Sequence, residues 1–215
     1  MFLSISFNSI AQESSATVKD IDGNVYKTVQ IGNQLWMTEN LKTTKYNDGT
    51  PIPNVIDDTQ WENLTTGAYS WSNHDAANKN PYGALYNWYA VETGKLCPTG
   101  WHVASDKEWT TLMVYLGGYA IAGGKLKDAD TTYWGSPNKG ATNESGFTAI
   151  PGGWRNDNGA FSLFLCYWWT SSTYSRYTDV PGEPRFYVIF RQQISIKKNH
   201  FLTKGNGLSV RCIKD

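Results

Sequence analysis

Nowhere in this 215-residue sequence do about twenty apolar residues run together, the length a helix needs to cross the hydrocarbon core of a bilayer. No transmembrane segment is expected. A surplus of charge is missing too: 19 basic residues stand against 19 acidic ones, and the pI is near 6.8. Without a net positive field there is no general attraction to polyanions, so nucleic acid is not the expected partner. Histidine and cysteine are scarce, at three each. His74, His102 and His200 lie far apart in no His-Glu-x-x-His pattern, and Cys97, Cys166 and Cys212 form no Cys-x-x-Cys pair. Neither set has the spacing of a metal site, and no cofactor is expected.

Other chemistries stop short in the same way. No Gly-x-Ser-x-Gly surrounds a serine, and Cys166 has no neighbouring base in sequence, which leaves little ground for covalent catalysis. Gly118, Gly123, Gly124 and Lys125 come near a phosphate loop, but Tyr119 stands where glycine is required and Leu126 where serine or threonine is. Asp20-Ile21-Asp22-Gly23 has two carboxylates and a turn glycine as calcium loops do, without the later acidic ligands, so a plain β-turn is the expectation. The chain is not expected to be an enzyme. Asn63-Leu64-Thr65 and Asn143-Glu144-Ser145 match glycosylation acceptors, which matter only in a host with that machinery.

Aromatic residues, by contrast, are plentiful at 14%, with 10 Trp and 13 Tyr. Most are expected in the core, and the rest supply rigid contact area with a polar handle. Length and a 40% hydrophobic share suit one sizeable core, hence a single domain over 17–215. The start, MFLSISFNSIAQESSATV, passes from an apolar stretch through Ala11 into a serine-rich run. Residues 1–16 therefore read as a signal-peptide remnant or a disordered N-terminus, though a basic n-region is missing. In an exported chain the expected disulfide joins Cys97 to Cys212 across about 115 residues. Cys166, inside FLCYWW, is expected as a buried free thiol.

Val25, Lys27, Val29 and Ile31 alternate as a strand does, and Gly32-Asn33 then separates them from Gln34-Leu35-Trp36-Met37, which predicts a hairpin. Between Tyr46 and Trp88 the chain reads as ordered loop pinned by Trp61, Trp71 and Tyr82. Ser105-Asp106-Lys107-Glu108 fits a capping box ahead of Trp109, Leu112, Met113 and Leu116 at helical spacing, with Gly117-Gly118 as the stop. A second helix is expected from Ile121 to Lys127, and loop over 135–153. Short strands are predicted at Tyr167–Ser172, Arg185–Arg191, Gln193–Ile196 and Gly207–Ile213, the last with Leu208, Val210 and Cys212 inward and Ser209, Arg211 and Ile213 outward.

From Arg176 onward eight basic residues face three acidic ones. Interleaved aromatics make this stretch the candidate binding surface, with Trp169, Tyr174, Arg176, Tyr177, Arg185, Tyr187 and Arg191 as the proposed contacts. Strand alternation sends Arg185, Tyr187, Ile189 and Arg191 to one face and Phe186, Val188 and Phe190 to the other. The competing reading is a solvated face over a packed aromatic layer.

Several segments resemble, in order, the signature stretches of the Fibrobacter succinogenes major paralogous domain family: DIDGNVYKTVQIGNQLWMTENL (20–41), YNDGTPIP (46–53), YGALYNWYAV (82–91), CPTGWHVASDKEWTTL (97–112), GGKLK (123–127), ATNESGFTAIPGGW (141–154), YWWTSS (167–172) and GLSVRCIKD (207–215). The resemblance implies an exported or cell-surface bacterial domain without an established activity. CPTGWHVASDKEW and SVRC also resemble, more distantly, the sulfatase-modifying-factor branch of the C-type-lectin-like fold. That implies an α+β domain: two helices on a twisted, largely antiparallel sheet with long ordered loops, its terminal strands paired. Formylglycine-generating members of that branch oxidise with a cysteine pair that Cys166 and Cys212 do not reproduce. The expectation is an exported, non-enzymatic module that binds glycan or protein ligands through its C-terminal loops. The alternatives are a structural or adhesive surface component and, below it, an enzyme related to the formylglycine-generating proteins.

Overall fold

A computed structural model describes residues 16–163, 165–175 and 182–215; residues 1–15 of the expected signal-peptide remnant or disordered N-terminus lie outside them. Thirteen strands follow in chain order: β1 (Thr17–Lys19), β2 (Val25–Ile31), β3 (Gln34–Met37), β4 (Tyr69–Trp71), β5 (Ala84–Asn87), β6 (Trp101–Val103), β7 (Trp154–Arg155), β8 (Phe161–Ser162), β9 (Leu165–Tyr174), β10 (Glu183–Phe190), β11 (Ile196–Asn199), β12 (Gly207–Leu208) and β13 (Cys212–Lys214). Six short helices lie among them: α1 (Asp58–Glu62), α2 (Lys79–Tyr82), α3 (Trp88–Val91), α4 (Asp106–Tyr115), α5 (Tyr119–Leu126) and α6 (Thr131–Trp134).

The strands form three sheets, ordered β1-β2-β3-β13-β6, β4-β5-β12-β7-β8 and β11-β10-β9. The expected arrangement of two helices on one lectin-like sheet is therefore wrong. The described chain is mostly β, and its six helices are single turns apart from α4 and α5. The misreading has a local cause. The Asn- and Gly-rich stretch 46–88 carries β4 and β5, whose strands of three and four residues are too short to display a period. Nor do the terminal strands pair: β13 inserts between β3 and β6, while β1 sits at the sheet edge.

Where the pattern is longer, sequence and structure agree. The β2–β3 hairpin closes at Ile31 and Gln34 as predicted. Ser105 Oγ accepts from the Glu108 amide while the Glu108 side chain takes the Ser105 amide, so α4 begins with a complete capping box. The second helix starts two residues earlier than expected and carries Gly123 and Gly124 inside it. A Cβ on Gly123 would lie 2.5 Å from the carbonyl oxygen of Ser195, so the helix needs glycine there to approach the β10–β11 connection. The Asp20–Gly23 segment is a plain turn: Asp20 takes hydrogen bonds from Asn24 and Tyr26, and Asp22 from Thr43 and Thr44.

The third sheet is central to the packing. Along β9 and β10, Trp169, Phe186 and Val188 enter one hydrophobic cluster with Tyr26, Met37, Trp88 and Leu208. The alternate residues Cys166, Trp168, Tyr187 and Ile189 enter a second, with Trp36, Trp109, Leu112 and Phe147. Period two thus feeds two cores, one on each face. The closing segment is equally enclosed. It is not one strand but two, β12 and β13 in different sheets, with Ser209 bridging to Trp168 between them. Its supposed outward residues Ser209, Arg211 and Ile213 are buried. Likewise the strand expected at Gln193–Ile196 runs instead over Ile196–Asn199. Cys97 and Cys212 form the expected disulfide, and Cys166 is a buried free thiol.

Candidate ligand-contact face

Burial consumes several of the candidate contacts. Trp169 is wholly enclosed, its indole N–H donating to the Tyr86 carbonyl at 2.8 Å. Tyr187 is equally enclosed, stacked on Trp109 at 4.8 Å and on Tyr119 at 6.3 Å. Neither ring offers surface to a ligand. Arg191 follows the far end of β10, six residues and so about 20 Å of strand from Arg185. There it borders a shallow hollow of about 330 Å³ with Leu165, Phe190, Gln192 and Gln193. Arg176 and Tyr177 lie outside the described residues.

Tyr174 and Arg185 do come together, at the end of the sheet where β9 finishes and β10 begins. The Arg185 guanidinium sits 4.8 Å from the Tyr174 ring centre, close enough for a cation–π contact. On the same ring, at 4.4 Å, lies the imidazole of His200, whose Nδ1 is 2.8 Å from the Glu183 carboxylate. Lys198, on the edge strand β11, completes the group. Asp106 ties it to the helix: its carboxylate accepts from Arg185 Nη1 at 2.9 Å, from Lys198 Nζ at 3.3 Å and from the Tyr187 hydroxyl at 3.0 Å. As the first residue of α4 it also lies where the helix dipole favours a negative charge. The result is a half-exposed patch of rings and cations fixed at its base. Just beyond, Phe201 is 70% exposed, edge-on to Phe186 at 5.3 Å.

Sequence reasoning missed Asp106, Lys198 and His200. Asp106 was legible only as the first residue of a capped helix, and nothing local joins it to positions 79 and 92 residues away. Only the alternation of β11 opposite β10, where Tyr187 pairs with Lys198, puts Lys198 on the Asp106 side.

The other displaced titratable groups serve the fold. Burial pulls the Lys127 amine down to about 8, and its ammonium donates to the carbonyls of Lys139, Arg191 and Gln193. Burial also lowers Arg211, which donates to Asn40 Oδ1 and to the Met37 and Phe147 carbonyls. The Cys166 thiol is pushed well up by burial, which suppresses the nucleophilic thiolate.

The sequence was compared with known proteins. The family model described as the Fibrobacter succinogenes major domain matches residues 29–214. No curated protein and no solved structure matches, so the more distant lectin-like resemblance gains no support.

Proposed function

Since the chain belongs to the Fibrobacter succinogenes major domain family, whose description specifies no activity, we propose from its own geometry that it is a non-enzymatic recognition module acting outside the cytoplasm. The observation that carries the reading is the Tyr174–Arg185–His200 patch. It is half-exposed and built on a carboxylate anchor that immobilises the guanidinium before any ligand arrives. A planar guanidinium beside an aromatic ring suits a ligand bearing carboxylate or sulfate groups, by bidentate hydrogen bonding and stacking together. The glycan or protein that presents such groups is the partner in this reading. The Cys97–Cys212 disulfide supports an oxidising compartment, where such bonds persist, and with it a secreted or bacterial cell-surface location.

The test is a binding screen against sulfated, carboxylated and neutral glycans and surface proteins. It is repeated with the double variant Tyr174→Ala, Arg185→Gln after circular dichroism confirms the fold. An acidic ligand should be held, weaken about tenfold or more in the variant, which is about 1.4 kcal/mol, and weaken further between about 50 and 300 mM salt as exposed charges are screened. A ligand held equally well by the variant would remove this face from consideration.

A further inference from the structure

A separate cleft lies by the opposite end of β9, beyond its first residue. Ser72, Asn73, Asn78, Tyr82, Tyr133, Pro151 and Leu163 line a hollow of about 140 Å³. We propose that it binds one neutral sugar ring of a glycan, through its two tyrosines and two asparagine amides. The proposal goes beyond the recognition role above and rests on different residues.

Among the described residues the lining contains no Asp, Glu, Lys, Arg or His, so none of them compensates an ionic ligand. Its size is well below the roughly 300–1,000 Å³ of pockets for drug-sized molecules, which suits a single ring. The polar groups it offers are uncommitted. Among the described residues the Asn73 side chain and the hydroxyls of Tyr82 and Tyr133 have no hydrogen-bond partner, and Asn78 uses only its amide N–H, to the Ser72 carbonyl at 2.9 Å. Amides and phenols both donate and accept, as the hydroxyls of a sugar require. Pro151 and Leu163, the latter 36% exposed, give an apolar floor for the C–H face of the ring.

The tyrosine geometry discriminates between ring classes. Tyr82 and Tyr133 meet edge to face, 5.9 Å apart and inclined at 79°. Two nearly perpendicular rings cannot sandwich a flat nucleobase, but they do form a corner that a puckered, non-aromatic ring fills. The backbone adds a second observation. Asn73 and His74 are consecutive non-glycine residues with φ of 53° and 58°, a conformation costing about 1–2 kcal/mol per residue. Such outliers gather at functional sites. His74 is held from behind, its ring against Phe161 at 4.8 Å and its Nε2 3.6 Å from Asp58, and the left-handed pair turns Asn73 into the cleft lining.

Saturation-transfer NMR tests the cleft, using the full chain and the methyl glycosides of glucose, galactose, mannose, xylose and N-acetylglucosamine, with adenosine as the flat-ring control. At least one glycoside should receive saturation on its ring protons, and adenosine none. Asn73→Gly keeps the left-handed backbone open to the chain while deleting the amide, and Tyr133→Phe deletes one hydroxyl. Each should weaken binding about fivefold or more, the scale of one lost hydrogen bond. Both variants should melt no earlier than the parent chain. The Tyr174→Ala, Arg185→Gln variant should bind the glycoside normally, which separates this cleft from the acidic-ligand face. Silence from all five glycosides, binding of adenosine instead, or glycoside binding untouched by both cleft variants would overturn the proposal.

Discussion

At the scale of single residues, His102 is a group whose charge ties the end of the chain to α4. Its Nδ1 is 2.6 Å from Asp215 and its Nε2 2.8 Å from Glu108, so only the imidazolium, which donates from both nitrogens, satisfies both carboxylates. Burial would lower its pKa, but the hydrogen bonds to Asp215 and Glu108 outweigh that and raise it above the ordinary 6.5. Glu108 moves the other way: burial would raise it, and hydrogen bonds from Ser105 and His102 bring it below 4.5. A raised histidine stabilises fully below its unfolded pKa and ceases to do so as pH rises through the folded value. A lowered carboxylate stabilises above its unfolded pKa and ceases to do so as pH falls through the folded value. Stability from this pair is therefore greatest between about 4.5 and 6.5. Urea midpoints measured from pH 5 to 9 should fall on the alkaline side, and His102→Gln should flatten that limb. An unchanged slope in the variant would show that His102 contributes nothing to it.

At the scale of elements, α4 was the most legible part of the chain because its information is local. Ser105 and Glu108 sit three residues apart at its start, and Trp109, Leu112 and Met113 share the inward face, all at 0% exposure. Ser105→Ala should cost about 1 kcal/mol through the lost cap. Leu112→Ala should cost about 2–5 kcal/mol through the cavity beside Trp109 and Met113. Both are read from equilibrium denaturation, and similar small losses for the two would contradict the packing described. Strands were less legible, for a reason visible in β10. Alternation correctly sorted Tyr187 and Ile189 from Phe186 and Val188, as their division between the two hydrophobic clusters confirms, and Arg185 joins the first set through Asp106 of α4. It could not reveal that α4 covers the first set. A period of two says which residues share a face, not what lies upon it.

At the scale of the whole molecule, the disulfide connects the segment before β6 to β13, across 115 residues of sequence. In the chain-entropy account, a loop of that length restricts the unfolded ensemble by about 4–5 kcal/mol. Cys97→Ser should therefore lower the urea midpoint strongly, while Cys166 should resist alkylation in the native protein with or without the bond. A midpoint indifferent to Cys97→Ser would place the stabilisation elsewhere. The pairing was readable because three cysteines allow few choices and Cys166 sits in the most apolar run, FLCYWW. The three-sheet arrangement was not. Strands distant in sequence lie side by side in it, β13 beside β3 and β12 beside β5, so most of what assembles the sheets has no local signature.

By itself the sequence determined the family, the β2–β3 hairpin, the capped α4, the disulfide and the burial of Cys166, each from residues adjacent in the chain or from a choice among three. Only the tertiary structure decided that Tyr187 belongs to the core while Tyr174 reaches solvent, that Arg211 is a buried staple while Arg185 stays partly open beside Tyr174, and that Asp106 anchors the half-exposed patch. Side-chain type states what a group can do; whether it meets a ligand or a neighbour depends on which layer folds over it, and that layer is supplied by residues tens of positions away.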